Sequence, residues 1–275
     1  MHAIRIGYRL VLLSLVVSTG SIFTALFQRG SLPHTGMQSS VTRWWHRNIA
    51  RSLGVKVRVH GTPRRQATLF VSNHVSPFDI TALGSVLPVR FLSKAEVRRW
   101  PLLGWLATRA GTLYIERGGS QAASNANQAM AAALSMNHNV VLFAEGTTTD
   151  GTLRKFHSRL IQSAVDSGSH VQPVAIRYPC PEGRKVHEAA LFVDDMSLAE
   201  SARRLISAKQ LEVEIYFAEA VCAANKSRDE LARYAEKAVR RKIESSSGDG
   251  TKADKGYEPC EFLPQKTPAT RSTLK

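Results

Sequence analysis

His74 and Asp79 stand five residues apart in "FVSNHVSPFDITAL" (70–83), where a polar knot separates two apolar runs. An imidazole with a carboxylate at one ring nitrogen is held in one tautomer, and its other nitrogen can act as a general base. In a continuous helix, positions i and i+5 diverge by about 140°. The pair can therefore meet only if His74 lies in a turn and Asp79 in the first helical turn after it. The same spacing has a second account. Ser76-Pro77-Phe78-Asp79 has the order N-cap, N1, N2, N3, with proline where helices favour it and an acid placed to accept the Ser76 amide. Capping explains Asp79 and leaves Asn73 and His74 without a role. A helix N-terminus beside the histidine would also favour a developing anion.

No protein nucleophile accompanies this base. There is no G-x-S-x-G elbow, and the other histidines are scattered. Cys180, Cys222 and Cys260 are odd in number, far apart and without metal-ligand spacing, which fits a reducing compartment. The substrate must bring its own nucleophile, and no metal or cofactor is expected.

The elements that must position these residues alternate between two periods. "VKVRVHG", "ATLFVSN", "VRFLSK", "TLYIERG", "NVVLFAEG", "HVQPVAIRY" and "EVEIYFAEAV" read as strands. "SPFDITALGSVL", the apolar run after Pro101, "SQAASNANQAMAAALSMNH" and the charged segment Lys226–Ile243 read as helices. Strands alternating with such helices predict an α/β fold with a largely parallel sheet flanked by helices. Sites in such sheets collect at the carboxyl ends of strands. Three polar loops belong there: Asn73–Asp79, Arg117-Gly118 and Glu145–Gly151.

Ahead of this domain the chain is basic and apolar. Ten of the net +15 charges come from residues 1–78, where Asp79 is the first acid. A polyanion, either a lipid headgroup layer or nucleic acid, would meet this third of the chain. The apolar content favours the membrane. Leu10–Phe27 carries no charge and would span roughly 27 Å as a helix, against a hydrocarbon layer of about 30 Å. Gly20-Ser21 offers a break that would permit a re-entrant hairpin instead. In Met37–Gly54, Val41, Trp45, Ile49 and Leu53 recur at i+4 opposite Arg43, Arg47 and Arg51, with Trp44-Trp45 suited to an interfacial belt. The expected organisation is membrane-associated helices over 1–54, a catalytic domain over 55–244 and a disordered tail over 245–275, where Ser, Gly, Lys, Thr and Pro prevail.

"NHVSPFD" resembles the N-H-x4-D box of glycerolipid acyltransferases, specifically the bacterial lysophosphatidate (1-acylglycerol-3-phosphate) acyltransferase family. "GTLYIERG", "FAEGTTTDG" and "VQPVAIRY" resemble its second, third and fourth boxes, in order, over about 55–220. The resemblance implies that His74, paired with Asp79, deprotonates a lysolipid hydroxyl. That hydroxyl would attack the thioester of acyl-CoA or of an acidic acyl carrier protein. It also implies that Arg117, Glu145, Gly146 and Thr147 form the acceptor site, with Arg117 on a phosphate and Glu145 orienting Arg117 or a hydroxyl. Two positions depart from the pattern: Ala144 replaces a usual proline, and Thr148 an arginine. The expected product is phosphatidate from lysophosphatidate, made on the cytoplasmic side of a bacterial inner membrane with an anionic surface as partner and no nucleic acid. Lyso-ornithine lipid is the alternative acceptor. A non-enzymatic membrane- or nucleic-acid-binding protein is the rival of another class.

Overall fold

The structure is a computed structural model and describes residues 1–27, 36–116, 121–193 and 195–245. The expected tail therefore lies outside the described residues, apart from Ser245. Two helices come first, α1 (His2–Phe27) and α2 (Gly36–Ser52), followed by β1 (Val55–His60), β2 (Thr68–Ser72) and α3 (Phe78–Val86). Next are β3 (Arg90–Lys94), α4 (Leu103–Arg109), β4 (Leu113–Ile115), α5 (Ala122–Ser135) and β5 (Val140–Phe143). The chain continues through α6 (Gln162–Asp166), β6 (His170–Arg177), α7 (Leu198–Ser207), β7 (Leu211–Phe217), β8 (Val221–Cys222) and α8 (Arg228–Glu244).

The strands form a sheet in the order β1-β7-β6-β2-β5-β3-β4, with β8 paired to β6. β2 is parallel to both neighbours, β5 and β6, whereas β6 is antiparallel to β7 and β8. "TLFVS" is buried along its whole length because it is central and covered on both faces. Successive side chains alternate between those faces. Phe70, Val141, Val174 and Ile176 enter one core with α2 and α3. Leu69, Val71, Leu142 and Ala175 enter the other with α5 and α8. Each such side chain contributes about 1.5–3 kcal/mol by leaving water. Nearer the edge, "LEVEIYF" shows strict alternation, and Glu212 and Glu214 reach Arg58 and Arg177 across neighbouring strands. The α8 entry is a complete capping box between Ser227 and Glu230.

The N-terminal helices differ from expectation in three ways. First, α1 runs unbroken through Gly20-Ser21, so there is no re-entrant hairpin. An added Cβ at Gly20 would lie 2.1 Å from Trp45 Nε1, so this glycine is a seat for that indole. Second, Trp45 does not lie in a membrane belt: its Nε1 donates to Val16 O of α1 at 2.9 Å. The next residue, His46, is seated in the same way on Gly84 of α3. The apolar stripe of α2 is thus covered by protein, and Trp44 is the exposed indole. Third, several basic residues face the protein rather than a polyanion. Arg5 donates to Ser207 O at 3.1 Å, and Arg9 donates to Ile206 O at 2.8 Å and Ala208 O at 2.5 Å. These carbonyls end α7, where cations are favoured. Arg47 donates to Ser85 O at 2.8 Å. The outer face of α1 remains apolar, with Ile4, Tyr8, Val11, Leu15, Ile22 and Leu26 exposed at helical spacing. By length and composition α1 is able to cross a membrane.

Candidate active site

Because β2 is rigid and central, the residues that leave its carboxyl end are delivered to a fixed place. Asn73 extends the pairing with β6 through its side chain: Nδ2 donates to Ile176 O at 3.0 Å, and Oδ1 accepts from Ile176 N at 2.8 Å. The main chain of His74 is held by the loop after β5. Its N–H donates to Glu145 Oε2 at 2.9 Å, and its carbonyl accepts from Thr149 N at 2.9 Å. The imidazole stacks on Phe143, with centroids 3.9 Å apart, and Phe143 in turn stacks on Phe91 at 6.4 Å.

His74 Nδ1 and Asp79 Oδ2 are 2.8 Å apart. The same Oδ2 accepts from Val75 N at 2.8 Å and Ser76 N at 3.0 Å. Oδ1 accepts from Tyr178 Oη at 2.5 Å. Four donors converging on a fully buried carboxyl group suit the ionised, acceptor-only form. Nδ1 must then carry the proton, which leaves Nε2 with a free lone pair. Both accounts of Asp79 hold at once, since one oxygen caps the turn and also orients the imidazole. The helix itself starts one residue later than the spacing implied, with Pro77 at the N-cap and Ser76 Oγ accepting from Phe78 N at 3.3 Å. Burial, with Asp79 alongside, pushes the Tyr178 hydroxyl well above its ordinary pKa, so it stays a donor.

Glu145 is buried, and its two oxygens accept backbone amides, Oε2 from His74 and Oε1 from Arg154 at 2.9 Å. Burial raises its pKa, opposed by those two N–H groups. Instead of facing a headgroup, this carboxylate clamps the histidine loop to the β5 loop. Gly146 adopts φ +71° in the turn that follows, and Thr147 is exposed. Arg117 lies outside the described residues. Its strand, β4, is two strands beyond β5, roughly 10 Å along the sheet. Only two of the three polar loops are therefore seen in contact. Ala144 also has a structural account: its N–H donates to Ser72 O at 3.1 Å, a bond that proline could not make.

Sequence reasoning missed Tyr178, Phe143 and Phe91. The only local signal for Tyr178 is a hydroxyl-bearing aromatic at the end of the strand beside β2. Among the described residues, no group of His, Cys, Asp and Glu could hold a metal, and no serine or cysteine bonds to His74.

The chain is similar to known proteins in sequence and in fold. A family model described as Acyltransferase matches residues 56–177. A lyso-ornithine lipid O-acyltransferase of Pseudomonas aeruginosa is 44% identical over 210 residues, covering 75% of this chain and 79% of that one. A 1-acyl-sn-glycerol-3-phosphate acyltransferase of Neisseria gonorrhoeae is 33% identical over 198 residues, 72% of this chain and 74% of that one. The crystal structure of the 1-acyl-sn-glycerophosphate (LPA) acyltransferase PlsC from Thermotoga maritima superposes with a TM-score of 0.60 at 22% identity. It covers 92% of this chain and 100% of that chain.

Proposed function

The chain belongs to the acyltransferase family of these lysolipid-acylating relatives, and from that membership we propose that it moves an acyl group from a thioester to the free hydroxyl of a lyso-ornithine lipid. His74 Nε2 takes the hydroxyl proton as the oxygen attacks the thioester carbonyl carbon. The tetrahedral intermediate collapses, the C–S bond breaks, and the imidazolium returns its proton to the leaving thiolate. Asp79 keeps Nδ1–H in place and stabilises the imidazolium. The His74–Asp79 contact at 2.8 Å, with no protein nucleophile on the other nitrogen among the described residues, is the observation that carries this chemistry.

The choice of acceptor differs from the lysophosphatidate expected from the boxes. It is supported by the 44% identity to the Pseudomonas aeruginosa protein and by Thr148 standing where the resemblance calls for a phosphate-facing arginine. Lysophosphatidate remains the second reading, favoured by the 33% identical Neisseria gonorrhoeae protein. The place of work is the cytoplasmic side of a bacterial inner membrane. Attachment to a membrane is supported by the exposed face of α1 and by an exposed apolar wedge of Trp100, Leu102 and Leu103. Leu102 holds φ +57°, an uncommon conformation for a branched residue, and 47% of it is exposed. Purified enzyme, offered both lysolipids in the same micelles with one labelled thioester, should favour lyso-ornithine lipid at least tenfold in kcat/KM, about 1.4 kcal/mol. A tenfold preference for lysophosphatidate would reverse the assignment.

A further inference from the structure

The His74 loop has two unlike flanks along the carboxyl edge of the sheet. Toward β5, β3 and β4 lie Phe143 and Phe91, with the exposed apolar wedge beyond them. Toward β6 lies a cavity of about 730 Å³, within the usual range of roughly 300–1,000 Å³ for small-ligand sites. Asn73 and Val75, the neighbours of His74 on either side, both line it. Leu153, Ile176 and Val186 give it an apolar wall. Arg177, Arg184, Lys185 and Arg240 line it too, against a single lining carboxylate, Glu244. The base chemistry described above uses none of these groups.

A transfer reaction needs two substrates, and His74 Nε2 takes its proton from the acceptor hydroxyl before it returns that proton to the donor's sulfur. The donor carbonyl must come to about 3–3.5 Å from that oxygen, by a path the acceptor does not fill. An acceptor lipid suits the apolar flank, where its chain can stay with the exposed wedge. The cavity suits a narrower molecule: a chain of mixed polarity with a thioester at one end and an anion at the other. We propose that it admits the phosphopantetheine arm of the acyl donor, with the phosphate at Arg184 and Lys185 and the thioester passed beside Asn73 and Val75. This assignment rests on the acyl-transfer reading above. Arg184 is already engaged by Glu182 and Glu188, Arg240 by Glu236, and Arg177 by Glu214. Lys185 makes no such salt bridge among the described residues, only a longer-range attraction to Asp150, so it can take a phosphate without breaking a direct ion pair. Coenzyme A and acyl carrier protein share the phosphopantetheine group, and the cavity recognises what they share.

Cys180 is free, half-buried and lines the same cavity, whereas the free, half-buried Cys222 lies on β8. Their alkylation by N-ethylmaleimide in the full chain can be followed separately by peptide mass spectrometry. The donor is added at ten times its KM, or at about 1 mM, the upper end of common KM values, where no transfer is seen. Acyl-CoA or acylated carrier protein, whose sulfur is capped as the thioester and cannot consume N-ethylmaleimide, should slow Cys180 about tenfold, the free fraction left at ten times a dissociation constant. Cys222 should keep its rate, and lysolipid micelles should slow neither. Protection by both donors marks the shared arm, and protection by one names the source. Lys185→Glu should raise the donor KM several-fold and leave the acceptor KM unchanged. A Cys180 that both donors leave unprotected, or protection by lysolipid alone, overturns the assignment. The labelling needs no turnover, so the two ideas fail separately. Transfer with an unprotected Cys180 removes only the donor cavity. Protection without acyl product on any acceptor removes the acyl-transfer reading.

Discussion

The loop after β2 and the crossing of α2 over α3 each centre on a histidine and use it in opposite ways. His74 keeps 17% of its side chain exposed and places Nδ1 on a carboxylate that is itself held by three further donors. His46 is 8% exposed, its Nδ1 is buried without a partner, and burial alone lowers its pKa to about 4. Its ring lies edge-on to Trp45 at 5.3 Å and flat against Gly84. One imidazole is set up to carry a proton in the proposed reaction, because an anion stands behind it. The other is a packing block, because no charge reaches it and water is excluded.

The sharpest division between the two regions should come from removing each ring. His74→Ala should lower kcat by about 10²–10⁴-fold with an unchanged melting temperature, while His46→Gln should leave kcat per folded molecule near wild type. A His74→Ala enzyme with more than a tenth of wild-type turnover would make the two histidines equivalent and end the comparison.

Acid should separate them next. His46 stays neutral in the fold until about pH 4, whereas in the unfolded chain it takes a proton near 6.5. Its stabilising contribution is therefore complete above pH 6.5 and is lost as pH falls toward 4, by on the order of 3 kcal/mol in all. Glu145, whose pKa is raised, works in the opposite direction: the fold holds its proton to higher pH than the unfolded chain does. The measurement is consequently the difference between wild type and His46→Gln, followed as melting temperature against pH. Parallel curves between pH 6.5 and 4 would remove His46 from the account.

The smallest effect belongs to the shell around Asp79. Tyr178→Phe deletes one donor to Oδ1 and leaves the other three in place. It should cost about 1.5 kcal/mol in denaturant unfolding, the low end for a bond to a charged group, and reduce kcat less than tenfold. A loss equal to that of His74→Ala would instead place the hydroxyl in the chemistry.

What could be read in advance followed from distance along the chain. The strands, the His74–Asp79 turn and the loop after β5 were legible because their signals are local: alternation, a proline at a helix start, a polar knot after a buried run. Tyr178 meets Asp79 across 99 residues, and Asn73 meets Ile176 across 103, so neither leaves a pattern within a short window. The stripe Val41, Trp45, Ile49 and Leu53 was correctly seen as apolar and wrongly given to lipid. Periodicity tells that a face is covered and says nothing of what covers it. Glu145 shows the same limit, since nothing in its polar loop told that both its oxygens accept backbone amides, one of them 71 residues away.

The arginine link between α1 and α7 has a consequence in time. Arg9 and its acceptor Ala208 are 199 residues apart in the chain, and at about 5–20 residues per second the ribosome needs roughly 10–40 s to make that stretch. For all of that interval α1 is an apolar helix whose final partner does not yet exist, open to whatever recognises nascent apolar segments. Delivery to the bilayer can thus precede folding of the catalytic domain. The two arginines then close onto α7, joining elements whose synthesis is separated by about 199 residues.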